Sequence, residues 1–318
     1  MTTYKEIFGK YVKNYSSDPS SDIEGQVWYN STTGVFKTNL AGAAAWAAGG
    51  NLNTARRALT GAGTQTAGLA FGGFTTAVSN ATEEYDGSAW TAGGNLGTAR
   101  RNLGGCGTQT AGLGFGGYTT ANSNATEEYD GSAWTGGGNL GTARHALAGA
   151  GTQTSALGFG GIVTAVSNAT EEYDGSAWTA GGNLGTARQA LAGAGTQTAG
   201  LGFGGYITAN SNATEEYDGS AWTAGGNLNT ARADLTGAGS QTAGLAFGGF
   251  TTANTNATEE YNGTSWSNTT SMTTARRNLG GAGSQTAGLG FGGFTTVNVA
   301  NTEEYSDPSF STKTITTS

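Results

Sequence analysis

FGGFTTAVSNATEEYDGSAWTAGGNLGTAR, from Phe71 to Arg100, recurs almost unchanged along the chain. Tryptophan marks the beat: Trp46, Trp90, Trp134, Trp178, Trp222 and Trp266 stand 44 residues apart. The FGG triplets (beginning at Phe71 through Phe291), the EEY triplets (ending at Tyr85 through Tyr305) and the TAR triplets (ending at Arg56 through Arg276) keep the same step without insertion. Self-similarity at such a period marks an array of supersecondary pieces, none of which can bury its apolar face alone.

Each unit reads as four short strands. After TAR comes a run of small apolar residues such as RALTGAG, then a GTQT turn, then AGLAFGG, a strand closed by two glycines. NATEEY alternates like a half-buried strand, Asp86-Gly87 is a two-residue hairpin signal, and Trp90 opens the fourth strand. Helix is disfavoured, because the runs are short, glycine-broken and without helical period. A β-solenoid is the architectural rival, but the unit has no internal halves. Four strands repeated six times predict an all-β, six-bladed propeller. The first strand of each unit would line the axis, and Trp and Phe would pack between neighbouring blades.

Composition narrows the function classes. The chain has 318 residues, 58 glycines but only 2 prolines, and 10% aromatics, which argues for a folded core. Charged residues are 11% and the formal net charge is -8, with no Lys/Arg cluster. No nucleic-acid partner and no membrane insertion are expected. A single cysteine, Cys106, allows no internal disulfide. The start, MTTYKEIFGKYVKNYSS, has no apolar core of a signal peptide, so a cytoplasmic, soluble product is expected.

An apolar strand ending in Gly-Gly, then a Tyr, then a Trp, resembles the kelch motif, and the match runs six times between Ala45 and Tyr305. Two features depart from it. The Tyr85-to-Trp90 interval is shorter than usual in kelch repeats, and the units are more alike.

The ends do not repeat. Residues 1–44 are expected to form an anchoring segment and residues 45–318 the propeller. EGQVWYNSTTGVFKT, Glu24 to Thr38, alternates around a Thr-Thr-Gly turn and predicts a β-hairpin. YKEIFGKYVKNYSSDPSSD before it predicts a strand and an irregular link. The first unit has a fourth strand at Trp46 with no preceding three, while the last lacks its Trp. The expected closure uses the Trp46 strand, with FSTKTITTS competing for that place or adding an outer strand. The YKEI start, the GQVWYNSTTG hairpin and the NLNTARR, GAGTQTAG and FGG repeats together resemble virion structural proteins of marine tailed phages such as cyanophages. That resemblance implies a tail-fibre or particle-surface component in many copies per particle, assembled in the host cytoplasm. Its N-terminal segment would bind other virion proteins, with Trp28 and Tyr29 as candidate anchors.

Chemistry is sparse. His145 is the only histidine, so no histidine-based zinc or copper site can form, and neither a metal nor a cofactor is expected. Cys106 aligns with Ala62, Ala150, Ala194, Ala238 and Ala282 and reads as a small buried residue. Neighbours such as Glu83 and Glu84 point to opposite faces of a strand, so they do not converge as catalytic carboxylates. One Glu per unit is expected to meet the TAR arginine. A glycan-active enzyme is therefore a distant alternative, and no enzyme is expected.

Comparison among the units singles out a rim. After TAR come Arg57, Arg101, His145, Gln189, Ala233 and Arg277. After FGG come Phe74, Tyr118, Ile162, Tyr206, Phe250 and Phe294. Four residues on, Val78 and Val166 alternate with Asn122, Asn210, Asn254 and Asn298. In a propeller these connections emerge on one face, while the GTQT and Asp-Gly turns lie on the other. The candidate recognition rim comprises these post-TAR and post-FGG residues, with Asp234 taken for the unit in which Ala233 stands. Its aromatics, arginines, histidine and amides suit a host-surface glycan or protein. The other reading is architectural decoration or spacing with no receptor contact.

Overall fold

The computed structural model describes residues 12–19, 26–307 and 310–315, and no helix occurs among them. Four strands precede the repeats: β1 (Lys13–Tyr15), β2 (Val27–Asn30), β3 (Val35–Ala41) and β4 (Ala45–Gly49). Sheet I holds β5 (Thr60–Gly63), β6 (Gly68–Phe71), β7 (Thr82–Tyr85) and β8 (Trp90–Ala92). Sheet II holds β9 (Gly104–Gly107), β10 (Gly112–Phe115), β11 (Thr126–Tyr129) and β12 (Trp134–Gly136). Sheet III holds β13 (Ala148–Thr152), β14 (Ser155–Phe159), β15 (Thr170–Tyr173) and β16 (Trp178–Ala180). Sheet IV holds β17 (Ala192–Gly195), β18 (Gly200–Phe203), β19 (Thr214–Tyr217) and β20 (Trp222–Ala224). Sheet V holds β21 (Thr236–Gly239), β22 (Gly244–Phe247), β23 (Thr258–Tyr261) and β24 (Trp266–Thr269). Sheet VI joins β25 (Gly280–Gly283), β26 (Ala287–Phe291) and β27 (Thr302–Ser306) to β4, which takes the outer place beside β27. The last strand is β28 (Phe310–Thr314).

The repeats therefore form a propeller-like array of four-stranded antiparallel sheets. Their second strands are buried from the glycine or alanine before the Leu to the Phe, because neighbouring sheets cover both faces: Leu69 and Phe71 are fully buried in β6, and only Ser155 of β14 and Ala287 of β26 are half-buried. Phe71 meets Trp134 of sheet II with ring centroids 4.7 Å apart, and Trp134 Nε1 donates to Thr82 Oγ1 at 2.9 Å. Gln109 Nε2 donates to the Gly68 and Tyr85 carbonyls of sheet I at 3.1 and 2.7 Å. These contacts recur between sheets VI and I, through Trp90 on Phe291 (4.8 Å), Trp90 to Thr302 (2.9 Å) and Gln65 to Tyr305 (2.6 Å). They recur between V and VI too, where Trp46 of β4 meets Phe247 and Thr258. The glutamine of each GTQT or GSQT turn is thus an inter-sheet fastener, which accounts for its constancy.

The innermost strands neighbour one another in a cycle, β5 lying beside both β9 and β25. A cyclic chain of backbone hydrogen bonds runs inside them. The N–H of Ala58 donates to Asn278, Asn278 to Asp234, Asp234 to Ala190, Ala190 to Ala146, Ala146 to Asn102, and Asn102 back to Ala58, all at 2.8–2.9 Å. All six residues have φ between 51° and 54°, a left-handed conformation that costs a non-glycine residue about 1–3 kcal/mol. The closed hydrogen-bond cycle holds them there.

Two expectations need correction. The structure has seven sheets rather than six, because the chain ends build one of their own, in the order β1-β2-β3-β28. β28 pairs antiparallel with β3, Phe310 opposite Ala41, and residues 307–318 group with 1–45 as one compact unit, residues 46–306 being the other. The predicted N-terminal hairpin is present as β2 and β3, with β1 added parallel to β2; Glu24 and most of the stretch before β1 lie outside the described residues. Secondly, Asp86-Gly87 does not close a two-residue hairpin. Tyr85 pairs with Trp90 across a loop of residues 86–89, because Asp86 Oδ1 accepts the Ser88 and Ala89 N–H groups at 2.8 Å, with Gly87 at φ 90°.

Candidate functional site

The edge of each repeat sheet is built by short bridges. Arg57 pairs with Phe74 and Phe74 with Val78, and the pattern repeats through Arg277, Phe294 and Asn298. The structure thereby brings together the post-TAR and post-FGG residues singled out by the repeat comparison. Asp234 is the exception. The bridge partner of Phe250 is Ala233, and Asp234 sits one step inward in the hydrogen-bond cycle.

Along this edge, arginines and rings interleave. The Arg57 guanidinium lies 4.6 Å from the Phe294 ring centre and 5.1 Å from that of Phe74. Arg101 lies between Phe74 (5.1 Å) and Tyr118 (5.2 Å), and Arg277 between Phe250 (4.5 Å) and Phe294 (5.4 Å). His145 continues the row edge-on to Tyr118 at 5.3 Å. Its Nδ1 stands 2.7 Å from Asn122 Oδ1, while Asn122 Nδ2 donates to the Ile162 and Val163 carbonyls, so Nδ1 carries the proton. Burial and the neighbouring Arg101 push the His145 pKa down, leaving the ring neutral at pH 7. These arginines are therefore held against rings of the protein itself, and Arg57 also donates from Nη1 to Asn298 Oδ1 at 3.3 Å. Ile162, Gln189, Tyr206 and Ala233 lie beyond the row's end, and Tyr206 is 39% exposed.

The loop position where Val and Asn alternate has a structural task that the sequence comparison did not recognise. Asn210 Nδ2 donates to the Phe250 and Thr251 carbonyls of the next sheet at 3.0 and 2.8 Å. Asn254 and Asn298 bridge in the same way to Phe294 and Phe74. Val78 and Val166 cannot. The Val/Asn alternation was the readable signal for these bridges.

The charged repeats are structural as well. Each TAR arginine is fully buried and faces the first Glu of its EEY: Arg56 Nη1 to Glu83 Oε1 at 2.6 Å, Arg188 Nη2 to Glu215 Oε1 at 2.9 Å. The second Glu takes a phenol from the next sheet, as Tyr129 donates to Glu84 at 2.5 Å. Burial and these carboxylates push the Tyr85, Tyr129, Tyr173, Tyr217 and Tyr261 phenols up to about 12. Cys106 is buried, its thiol pushed up to about 12 by desolvation. Among the described residues, no three His, Cys, Asp or Glu side chains converge on a metal-sized space.

Cavities open at the axis and at the edge. An axial one of about 220 Å³ is lined by the starts of the six innermost strands. A second, of about 370 Å³, opens on the edge among Tyr206, Asn210, Ala233, Asp234, Phe250 and Arg277.

In the end-built sheet, Trp28 is fully buried and donates from Nε1 to Asp18 at 3.2 Å. Asp18 also accepts from Asn30 and pairs with Lys37 at 2.7 Å. Trp28 is thus a core residue rather than an exposed anchor. Half-buried Tyr29 packs its ring tilted against Phe36, which is 42% exposed.

No protein-family profile matches the chain, and no curated protein is similar to it in sequence.

Proposed function

We propose that this chain is a kelch-like, six-bladed β-propeller serving as a non-enzymatic virion structural protein, whose variable edge contacts the host surface. The observation that carries this reading is the distribution of differences among near-identical repeats. Apart from the WSNTTSM stretch from Trp266 to Met272 and exchanges of small residues within the units, they collect along the bridged edge from Arg57 to Asn298, while the glutamine of each turn opposite stays constant. Its virion setting rests on the resemblance of the repeats and hairpin to marine tailed-phage proteins. Display in many copies would turn individually weak edge contacts into useful binding. The end-built sheet would hold the protein to other virion components, with Tyr29 and Phe36 rather than Trp28 offering apolar surface.

A second reading has its own support. Arg57, Arg101 and Arg277 lie against rings of the protein itself, and the rim asparagines bond to the next sheet, as a purely architectural ring requires. Particles carrying Tyr118→Ala with Tyr206→Ala decide between the two. Host-surface recognition predicts reduced adsorption with unchanged incorporation. Unchanged adsorption leaves the architectural role.

A further inference from the structure

The repeats provide their own control for the cavity at Ala233. At the equivalent place in sheet I, Arg57 fills the space between the rings of Phe294 and Phe74 and donates from Nη1 to Asn298 Oδ1 at 3.3 Å. In sheet V the matching rings are Tyr206 and Phe250 and the matching amide is Asn210, but the residue between them is Ala233. Phe74 and Phe294 each carry two arginines; among the described residues, Phe250 carries only Arg277. No donor among the described residues reaches Asn210 Oδ1, although Asn210 Nδ2 makes both of its carbonyl bonds.

The unit that lacks a basic or amide side chain here is also the one that places a carboxylate beside the gap. Residues equivalent to Asp234 are Ala58, Asn102, Ala146, Ala190 and Asn278. Asp234 lines both the gap and the axial cavity and forms no ion pair among the described residues. Burial raises its pKa, opposed by Arg277 and a hydrogen bond with Asn278. Arg277 also lines the gap and lies 4.5 Å from the Phe250 ring centre; Arg57 and Arg101 both lie 5.1 Å from that of Phe74, so two guanidinium groups at one ring are already tolerated in this molecule.

We propose that the gap at Ala233 is a binding slot for the guanidinium of an arginine side chain supplied by a partner protein, held between Tyr206 and Phe250 with Asn210 Oδ1 and Asp234 as acceptors. The slot completes from outside the row that the other sheets complete from within. The proposal names the ligand class of the recognition edge and rests on that reading. It is tested on the isolated full chain, so its failure leaves the adsorption experiment to judge the virion role separately.

N-acetyl-arginine amide is titrated by calorimetry against the full chain, beside the neutral isostere N-acetyl-citrulline amide and the anionic N-acetyl-glutamate amide. The expected result is saturable arginine binding in the millimolar range, with the other two absent. Ala233→Arg, which fills the slot from the chain itself, should abolish binding without lowering the melting temperature. Asp234→Asn should weaken it about tenfold and serves as the second variant should Ala233→Arg fold poorly. Equal binding of the citrulline probe, binding of the glutamate probe through Arg277, arginine binding unaffected by Asp234→Asn, or no saturable arginine binding would each overturn the proposal.

Discussion

Arg188→Met isolates what the buried TAR arginines contribute. Arg188 is fully buried, and its guanidinium donates to the Gly204 carbonyl at 2.9 Å, the Ala213 carbonyl at 2.7 Å and Glu215 Oε1 at 2.9 Å. Its Nε finds no acceptor, so methionine forfeits nothing there while retaining much of the apolar stem. Glu215 is left buried and without its counter-charge, held only by the Gly185 N–H at 2.6 Å among the described residues. Removing one member of a buried pair costs about 3–5 kcal/mol. Two stranded carbonyls add about 1–3 kcal/mol each where water cannot reach them. Urea unfolding should therefore show a loss of at least about 3 kcal/mol, a large share of a typical stability of about 5–15 kcal/mol. Adding Glu215→Gln should return part of it by removing the stranded charge. A loss below about 1 kcal/mol, or no recovery on adding Glu215→Gln, would refute the reasoning.

Trp178→Ala removes a ring packed on Phe115 at 4.8 Å and a donor to Thr126, and should cost about 3–5 kcal/mol by thermal unfolding. Five phenols raised from 10 to about 12 stabilise the fold fully below pH 10; that contribution falls away as pH rises through about 12, so circular dichroism should show alkaline unfolding in step with phenolate absorbance. Deleting residues 1–44 keeps β4 and should leave the repeats folded, whereas deleting 1–53 bares the edge of β27 and should give aggregation by light scattering. Equal behaviour of the two deletions would show that β4 is dispensable.

The repeat period made the sheet count among the repeats and the place of every Trp, Phe and EEY readable, because each sheet buries the same side chains against the next. The ends were less readable. Nothing in FSTKTITTS distinguishes a strand that pairs with β3 from one that pairs with β27, since both partners offer the same backbone groups. The left-handed conformation of Ala58, Ala146 and Ala190 was invisible because alanine carries no signal for positive φ; Asn102, Asp234 and Asn278 are of types that adopt it more readily, and cyclic pairing holds all six there. Edge positions were visible as variation, but variation did not reveal that Asn210 and Asn298 bond to the next sheet, nor that Ala233 leaves a gap.

The joint between β4 and β27 has a consequence for assembly at high concentration. Nothing covalent closes sheet VI, and AWAAG of β4 differs little from the AWTAG of most inner repeats. The same strand from a second molecule can satisfy the same partners, giving a domain-swapped dimer or a head-to-tail run of open molecules. Tethering to its own chain gives β4 a high effective concentration, so dilute protein closes on itself, and crowding during synthesis works against that closure.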